Sequence, residues 1–184
     1  MIYELMGLPG SGKSTLTRAL VDYDPQKFCC PQVGSRFERL ALCLGFLVEE
    51  PELALHFARF IFQPKNMFLL KYKIHLLTVS ISKHQKAKKI NHPVVLVDEG
   101  LTQRVLSIFE IKTNDAILRA FINKISADVG FMYLLGGDFE RYRPDSTKPS
   151  PRALRGELYM SNWKKVINYN LSLAKDVIEN SNRK

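Results

Sequence analysis

Residues 7–15 of this chain read GLPGSGKST, and this stretch decides the fold class. Glycines let a loop turn its backbone N–H groups inward, where they can donate hydrogen bonds to phosphate oxygens. The apolar residues Ile2–Met6 before the stretch predict a short strand, and Ser14–Val21 predict a helix. An anion at the N-terminus of that helix is stabilised by the helix dipole. The stretch therefore predicts a strand–loop–helix unit that binds phosphate.

The rest of the chain alternates between strand and helix patterns, and its 184 residues suit one domain, residues 1–184. Apolar runs predict further strands at Lys27–Gln32, Val94–Val97, Val129–Leu135 and, as a fifth, from Val177–Ile178. Helical spacing of apolar residues predicts helices over 37–47, 53–61, 67–89, 100–109, 115–125 and 153–175. Such alternation is typical of an α/β fold. We therefore expect three layers, a five-stranded parallel sheet and a helical region over 33–92.

The composition is that of a globular protein, with 46% hydrophobic and 24% charged residues. No apolar run reaches the roughly 20 residues that a membrane span needs. The N-terminus lacks the basic start and small-residue cleavage site of a secretory signal. The three cysteines, Cys29, Cys30 and Cys43, are an odd number without metal-ligand spacing. We therefore expect reduced thiols and a cytoplasmic location.

The formal net charge is +9, and its distribution along the chain is uneven. Residues 53–97 contain no Asp or Glu but hold eight cations, namely Arg59, Lys65, Lys71, Lys73, Lys83, Lys86, Lys88 and Lys89. A concentration of positive charge favours an anionic partner, such as a phosphorylated small molecule, a nucleic acid or an acidic membrane surface. The alternative interpretation is a solvated basic face.

A pair of carboxylates follows the apolar run of residues 94–97. An ionised Asp98 at the mouth of a buried strand is costly unless it meets a cation, a metal or solvent. We therefore predict that Asp98 holds Mg²⁺ through water, with the Ser14 hydroxyl as a second ligand. As the general base we expect Asp98 first and Glu99 second. The alternative is an ordinary strand end at which Asp98 serves as a cap.

A basic loop is predicted over residues 138–155, where residues 141–155 read RYRPDSTKPSPRALR. Its one acid, Asp145, is outnumbered by the cations Arg141, Arg143, Lys148, Arg152 and Arg155. Arginine side chains suit the negative charge of a phosphoryl group in transfer. We therefore predict that the loop closes over a nucleotide as a lid, with Arg152 and Arg155 on one helical face. A solvated basic loop is the alternative.

Together these features resemble the nucleoside and nucleotide kinase group of P-loop proteins, which includes thymidylate kinases, deoxynucleoside kinases, shikimate kinase and adenylylsulfate kinase. Gly7-x-x-x-x-Gly12-Lys13-Ser14 matches the P-loop pattern. The resemblance implies ATP and Mg²⁺ and a nucleotide-binding loop made of Leu8, Pro9, Gly10, Ser11, Gly12, Lys13, Ser14 and Thr15. It also implies catalytic roles for Lys13, Asp98, Glu99, Arg104, Arg141, Arg143 and Arg152.

The acceptor site has no recognisable motif in this sequence. We predict that Arg36 and Glu38 bind the acceptor and that Phe57 and Tyr72 line its pocket, with core packing as the alternative for the two aromatic residues. In the kinase group a loop after the fifth strand lines the adenine, and the matching position here is Asn180.

We expect an ATP-dependent phosphotransferase that moves the γ-phosphate to a small-molecule acceptor, such as a nucleoside, a nucleotide or a sugar-like compound. One alternative is a regulatory nucleoside-triphosphatase, although no Asn-Lys-x-Asp guanine motif follows the fourth strand. Another is a polynucleotide 5′-kinase or nucleic-acid-binding protein that uses residues 53–97. The sequence also leaves open whether the protein forms a homodimer.

Overall fold

A computed structural model describes residues 1–62, 69–108, 112, 115–125, 129–134 and 152–181. Over these residues the chain is an α/β protein with four parallel strands, seven α-helices and one short 3-10 helix. The strands are β1 (Ile2–Met6), β2 (Phe28–Cys29), β3 (Val94–Val97) and β4 (Val129–Tyr133). The helices are α1 (Lys13–Tyr23), α2 (Arg36–Glu49), α3 (Pro51–Ile61), α4 (Leu70–Lys89), α5 (Leu101–Ile108), α6 (Asp115–Ile125) and α7 (Glu157–Ser181).

The strand order in the sheet is β2-β3-β1-β4, and every neighbouring pair is parallel. Tyr3 of β1 lies opposite Leu96 of β3 and opposite Gly130 of β4. Because β1 and β3 run side by side in the same direction, the segments that follow them leave from the same edge of the sheet. This register brings the glycine-rich stretch after β1 next to the carboxylates after β3.

The main hydrophobic core lies between the sheet and the helices α2 to α7. Its centre contains an aromatic group in which Phe57 packs edge-on to Phe121, with ring centroids 5.1 Å apart, and lies 6.3 Å from Phe46. Leu118, Ile122 and Ile125 recur at helical spacing on α6 and are buried in this core. On α6 the helical periodicity seen in the sequence therefore corresponds to one buried face. On α2 the periodic residues Phe37, Leu40, Leu44 and Leu47 are instead between 54% and 86% exposed.

The predicted fifth strand is wrong. Val177 and Ile178 lie near the end of α7 and face the core, as do Ile167 and Ala174 earlier in the same helix. These four positions share the spacing of one helix face, so the apolar pair continued a helical pattern and did not open a strand. The predicted helix over 153–175 is also divided, because Gly156 at φ 87° separates the 3-10 helix Ala153–Arg155 from α7.

The three cysteines are free thiols, and all are half-buried. Cys43 on α2 lies 3.5 Å from the Ser82 hydroxyl of α4, so this thiol belongs to the contact between the two helices. None of the helices in the described ranges is long and apolar enough to cross a membrane.

Candidate functional site

The glycine loop, residues 7–12, joins β1 to α1 in a conformation that requires glycine at two positions. Gly10 has φ 80° and Gly12 has φ 86°, in the left-handed region that side chains with a Cβ atom rarely adopt. Gly12 is the N-cap of α1, and its carbonyl accepts the first helical hydrogen bond from the Leu16 amide at 2.8 Å. The loop therefore leads directly into a helix N-terminus, which favours an anion.

Lys13 is the first residue of α1, and only 8% of it is exposed. Its Nζ donates to the carbonyl oxygens of Gly7 at 2.9 Å and Leu8 at 2.8 Å, so the ammonium lies inside the curve of the loop. Desolvation lowers the pKa of Lys13, against the opposing charges of Glu99 and Asp98. The side chain is thus a shielded cation at the place where the loop would receive phosphate.

Asp98 connects the glycine loop to the neighbouring strand. The hydroxyl of Ser14 donates to Asp98 Oδ2 at 2.9 Å, across a sequence separation of 84 residues. Lys83 of α4 donates to the other oxygen, Oδ1, at 2.6 Å. Burial alone would raise the pKa of Asp98, but the hydrogen bond and charge of Lys83, helped by Ser14, hold that pKa below its ordinary value. Asp98 is therefore a carboxylate at neutral pH.

The Ser14 hydroxyl and the Asp98 carboxylate are oxygen donors of the kind that Mg²⁺ prefers. No group of three or more His, Cys, Asp or Glu side chains suited to a metal occurs in the part of the chain that the structure describes. Mg²⁺ usually keeps several waters and takes one or two protein oxygens together with phosphate oxygens. A hydroxyl and one carboxylate beside the glycine loop and the N-terminus of α1 fit that mode of binding.

Glu99 and Asp98 contact different partners. Its Oε2 lies 2.5 Å from a terminal guanidinium nitrogen of Arg104 on α5. Arg104 is only 5% exposed, and its Nε donates to the Ser80 hydroxyl of α4 at 3.0 Å. Two elements therefore fix the guanidinium, and it in turn fixes the half-buried Glu99 carboxylate.

The buried carboxyl group of Glu4 supports the glycine loop through Gln103. Glu4 of β1 is 1% exposed, and its Oε1 accepts a hydrogen bond from the Gln103 amide at 2.6 Å. The Gln103 side-chain oxygen accepts from the Gly7 amide at 2.9 Å. A Cβ atom at Gly100 would lie 2.3 Å from Glu4 Cδ, so only glycine fits there. Burial raises the pKa of Glu4 to about 7, against hydrogen bonds from Gln103 and Thr102 that lower it.

A cavity of about 460 Å³ opens beside the loop. Its walls come from the glycine loop and α1, from α4, from the segment after β3 with α5, and from the region of α7: Pro9, Gly10, Gly12, Lys13, Ser14, Thr15, Tyr72, Leu76, Glu99, Gln103, Arg104, Ser107, Arg152 and Trp163. The lining therefore combines residues of the glycine loop and α1 with aromatic rings and two buried arginines.

Arg152 is built into the cavity wall. Its guanidinium donates to the Ser107 carbonyl at 2.9 Å and lies 4.6 Å from the ring centroid of Trp163 and 5.5 Å from that of Tyr72. Arg155 is exposed, whereas Arg152 is 4% exposed, and of the two only Arg152 lines the cavity.

The structure brings together most of the residues predicted from the sequence. Tyr72 lines the cavity, as do Glu99, Arg104, Arg152 and the loop residues Pro9, Gly10, Gly12, Lys13, Ser14 and Thr15. Leu8 and Ser11 shape the loop through a backbone hydrogen bond of 3.1 Å. Arg141 and Arg143 lie outside the described residues.

Four predicted positions lie elsewhere. Phe57 is buried in the aromatic centre of the core, which corrects the prediction that it lines an acceptor pocket. Glu38 accepts from the Gly34 amide and pairs with Lys86, while Arg36 is exposed at the start of α2, and neither lines the cavity. Asn180 is exposed in the last turn of α7, because the strand expected before it is helix.

Several residues of the site were not predicted, among them Lys83, Gln103 and Trp163. Lys83 lies on α4 and Gln103 on α5. The sequences of these helices do not indicate which strand end the two side chains contact. Trp163 is the only tryptophan of the chain, and a single large aromatic residue 11 positions after Arg152 is the one signal that could have pointed to it.

The basic stretch 53–97 is partly neutralised by acids from other elements. Lys83 pairs with Asp98, Lys86 with Glu38 at 2.6 Å and Lys88 with Glu50 at 2.7 Å. Three of its eight cations are thus held by carboxylates that lie outside the stretch in sequence. The positive field that the sequence predicts over this stretch is correspondingly reduced.

A comparison with models of known protein families found no match, and neither did comparisons with curated proteins and with solved structures.

Proposed function

We propose that the chain is an ATP-dependent, Mg²⁺-requiring phosphotransferase with the P-loop fold of the nucleoside and nucleotide kinases. It transfers the γ-phosphoryl group to a small molecule bound in the cavity. The glycine loop binds the nucleotide phosphates, Lys13 neutralises their charge, and Ser14 and Asp98 hold the metal. When bound, Mg²⁺ neutralises charge on the phosphate oxygens.

The contact between Ser14 and Asp98 carries this proposal. A hydroxyl at the start of α1 and a carboxylate after β3 meet at 2.9 Å, although 84 residues separate them in the sequence. A glycine turn alone needs no such carboxylate, whereas a nucleotide that binds with Mg²⁺ needs oxygen ligands beside its phosphates. The close approach supports a metal–nucleotide site over a purely structural loop.

The cavity supports a small-molecule acceptor over water. Arg104 and Arg152 are buried in its wall, where guanidinium groups can stabilise the charge of a phosphoryl group in transfer. Glu99 lines the cavity with one oxygen paired to Arg104, whereas Asp98 has both oxygens engaged by Ser14 and Lys83. We therefore assign the general base to Glu99 and the metal to Asp98, which reverses the order expected from the sequence.

The proposed transfer needs only ATP, the acceptor and a proton acceptor among the residues that line the cavity. An acceptor hydroxyl oxygen forms a bond to the γ-phosphorus as the bond from that phosphorus to the β,γ-bridging oxygen breaks. The acceptor proton passes to Glu99, and ADP leaves with the bridging oxygen. A phosphate acceptor would need no base, because its oxygen is already ionised.

The Lys13→Ala variant tests the proposal, with Lys89→Ala at the exposed end of α4 as the matched control. We expect Lys13→Ala to lose ADP formation while its circular dichroism spectrum stays native, and Lys89→Ala to keep wild-type turnover. Wild-type turnover by Lys13→Ala would exclude the proposed phosphate site.

Two alternatives predict different outcomes in the same assay. A regulatory nucleoside-triphosphatase would release phosphate at a rate that no added small molecule changes. A polynucleotide 5′-kinase would label a 5′-hydroxyl oligonucleotide and bind it with a steep dependence on salt.

A further inference from the structure

Gln103 lines the cavity and is held through both its side chain and its backbone. The side-chain Oε1 accepts a hydrogen bond from the Gly7 amide at 2.9 Å, and the backbone amide donates to Glu4 Oε1 at 2.6 Å. Glu4 is 1% exposed and lies close against Gly100, so its carboxyl group has little room to move. The position of Gln103 is therefore fixed by the protein itself.

The contact with Gly7 determines how the side-chain amide of Gln103 is oriented. A backbone N–H group can only donate, so the atom of Gln103 that lies beside the Gly7 nitrogen has to be the oxygen. The NH₂ group on Nε2 is then the other branch of the amide. Its two N–H donors are directed away from the Gly7 amide.

Gln103 Nε2 donates to no acceptor in the part of the chain that the structure describes, yet it is not sealed from its surroundings. Because Gln103 is only 5% exposed and lines the cavity, the surface that Nε2 retains faces the cavity. The neighbouring Arg104 differs, since its guanidinium is engaged by Glu99 and Ser80. An amide donor in a nearly buried position is stabilised when an acceptor reaches it, so Nε2 suits an oxygen of a bound molecule.

Gly7 brings Gln103 and Lys13 to the same part of the cavity. The Gly7 carbonyl accepts from Lys13 Nζ at 2.9 Å, and the Gly7 amide is the group that Gln103 holds. In a P-loop the lysine reaches the β- and γ-phosphates, while the loop amides and the helix N-terminus surround the inner phosphates. Gln103 lies on α5, which follows β3, so it approaches the loop from the same side as Asp98. The oxygens expected there are those of the terminal phosphate.

We propose that Gln103 Nε2 donates a hydrogen bond to an oxygen of the terminal phosphoryl group, so that the site distinguishes a nucleoside triphosphate from the diphosphate. The inference rests on the proposed function, because it needs a nucleotide in the glycine loop. A hydrogen bond to a charged oxygen contributes about 10-fold or more in affinity. A diphosphate has no oxygen at that place and gains nothing from Nε2. Gln103 therefore favours the triphosphate before transfer and the release of the diphosphate after it.

Two substitutions separate the Nε2 donor from the support that Gln103 gives the loop. Gln103→Glu keeps an oxygen that can accept from the Gly7 amide but has no Nε2. Gln103→Met is similar in length, carries no charge and offers neither group, so its effects do not arise from repulsion of the phosphate. The control is Gln26→Met, at an exposed glutamine that does not line the cavity.

The fluorescence of Trp163, the only tryptophan of the chain and part of the cavity wall, measures nucleotide binding to the full chain without any transfer. Each protein is titrated with Mg²⁺ and either ADP or a non-hydrolysable ATP analogue. We expect the wild type and Gln26→Met to prefer the triphosphate, and both Gln103 variants to lose at least about 10-fold in triphosphate affinity relative to ADP. Gln103→Met should also lower Tm, because the Gly7 amide loses its partner, whereas Gln103→Glu should stay closer to the wild type.

An unchanged preference for the triphosphate in Gln103→Met would overturn the proposal. If that variant loses affinity for both nucleotides equally, Gln103 only supports the loop. If nucleotide binding is unchanged and the KM for the acceptor rises, Nε2 donates to the acceptor instead. The failure of the proposed function is a different result: a wild type that prefers the triphosphate, through Gln103, but transfers no phosphoryl group.

Discussion

At the scale of single residues, Asp98 shows how the site depends on contacts between distant parts of the chain. The apolar strand before it was the basis for predicting that Asp98 belongs to the site. Lys83, which holds its second oxygen, was not predictable, since the two meet only where α4 packs on β3. The ion pair keeps a half-buried carboxylate charged beside the glycine loop.

Asp98→Asn should remove metal-dependent turnover. The amide keeps the shape of the side chain but loses the charge that holds Mg²⁺, so we expect kcat to fall by at least about 100-fold at saturating ATP. Asp22→Asn, at an exposed position on α1, is the matched control. Steady-state rates across a Mg²⁺ titration measure the effect. An unchanged rate and Mg²⁺ dependence would remove Asp98 from the site.

Glu4 should make stability depend on pH. Its folded pKa of about 7 lies above its ordinary value of 4.5, so the folded state binds more protons between these values. Stability is therefore fully present below pH 4.5 and is lost as pH rises to about 7, by about 3 kcal/mol in total. Urea unfolding of wild type and Glu4→Gln at several pH values isolates this contribution.

The Glu4→Gln variant should gain stability relative to wild type as pH rises through that window, because glutamine does not titrate. Other groups titrate in both proteins, and their contributions cancel in the difference. Two stability curves that stay parallel from pH 4.5 to 8 would show that Glu4 titrates normally.

At the scale of elements, hydrophobic periodicity predicted the strands β1, β3 and β4 and the positions of most helices. It failed at Val177 and Ile178, because an adjacent apolar pair fits a strand and a helix face equally well. Periodicity also left the environment of Phe57 undecided, since an aromatic residue on an amphipathic helix can face a core or a ligand. Only the packing of α3 against α6 and its neighbours assigned Phe57 to the core.

The connection from β1 to α1 should depend on the left-handed conformation of Gly12. No atom lies within 4 Å of a Cβ placed there, so a substitution acts through backbone strain alone. We expect Gly12→Ala to lower the free energy of unfolding by about 1–2 kcal/mol and to weaken nucleotide binding.

Gly12→Asn is the matched comparison, because asparagine tolerates the left-handed region better than alanine. It should cost less stability than Gly12→Ala in chemical denaturation. Equal stability of the wild type and Gly12→Ala would contradict the backbone conformation described for the loop.

At the scale of the whole molecule, the fold redistributes the charge that the sequence concentrates in residues 53–97. Glu38 and Glu50 lie at the two ends of α2, Asp98 follows β3, and all three pair with lysines of α4. The sign and size of the net charge follow from the amino-acid composition, whereas the pairing depends on tertiary contacts. The same contacts place the glycine loop, two buried arginines and Glu99 around one cavity.

The central claim is that the cavity holds an acceptor for the γ-phosphoryl group. It is tested most directly by incubating the protein with Mg²⁺, ATP labelled in the γ-phosphate and a library of nucleosides, nucleotides, sugars and sugar phosphates. We predict that the label appears on a small-molecule acceptor in an amount equal to the ADP formed. Label that stays in ATP, or that appears only as inorganic phosphate, would contradict the account.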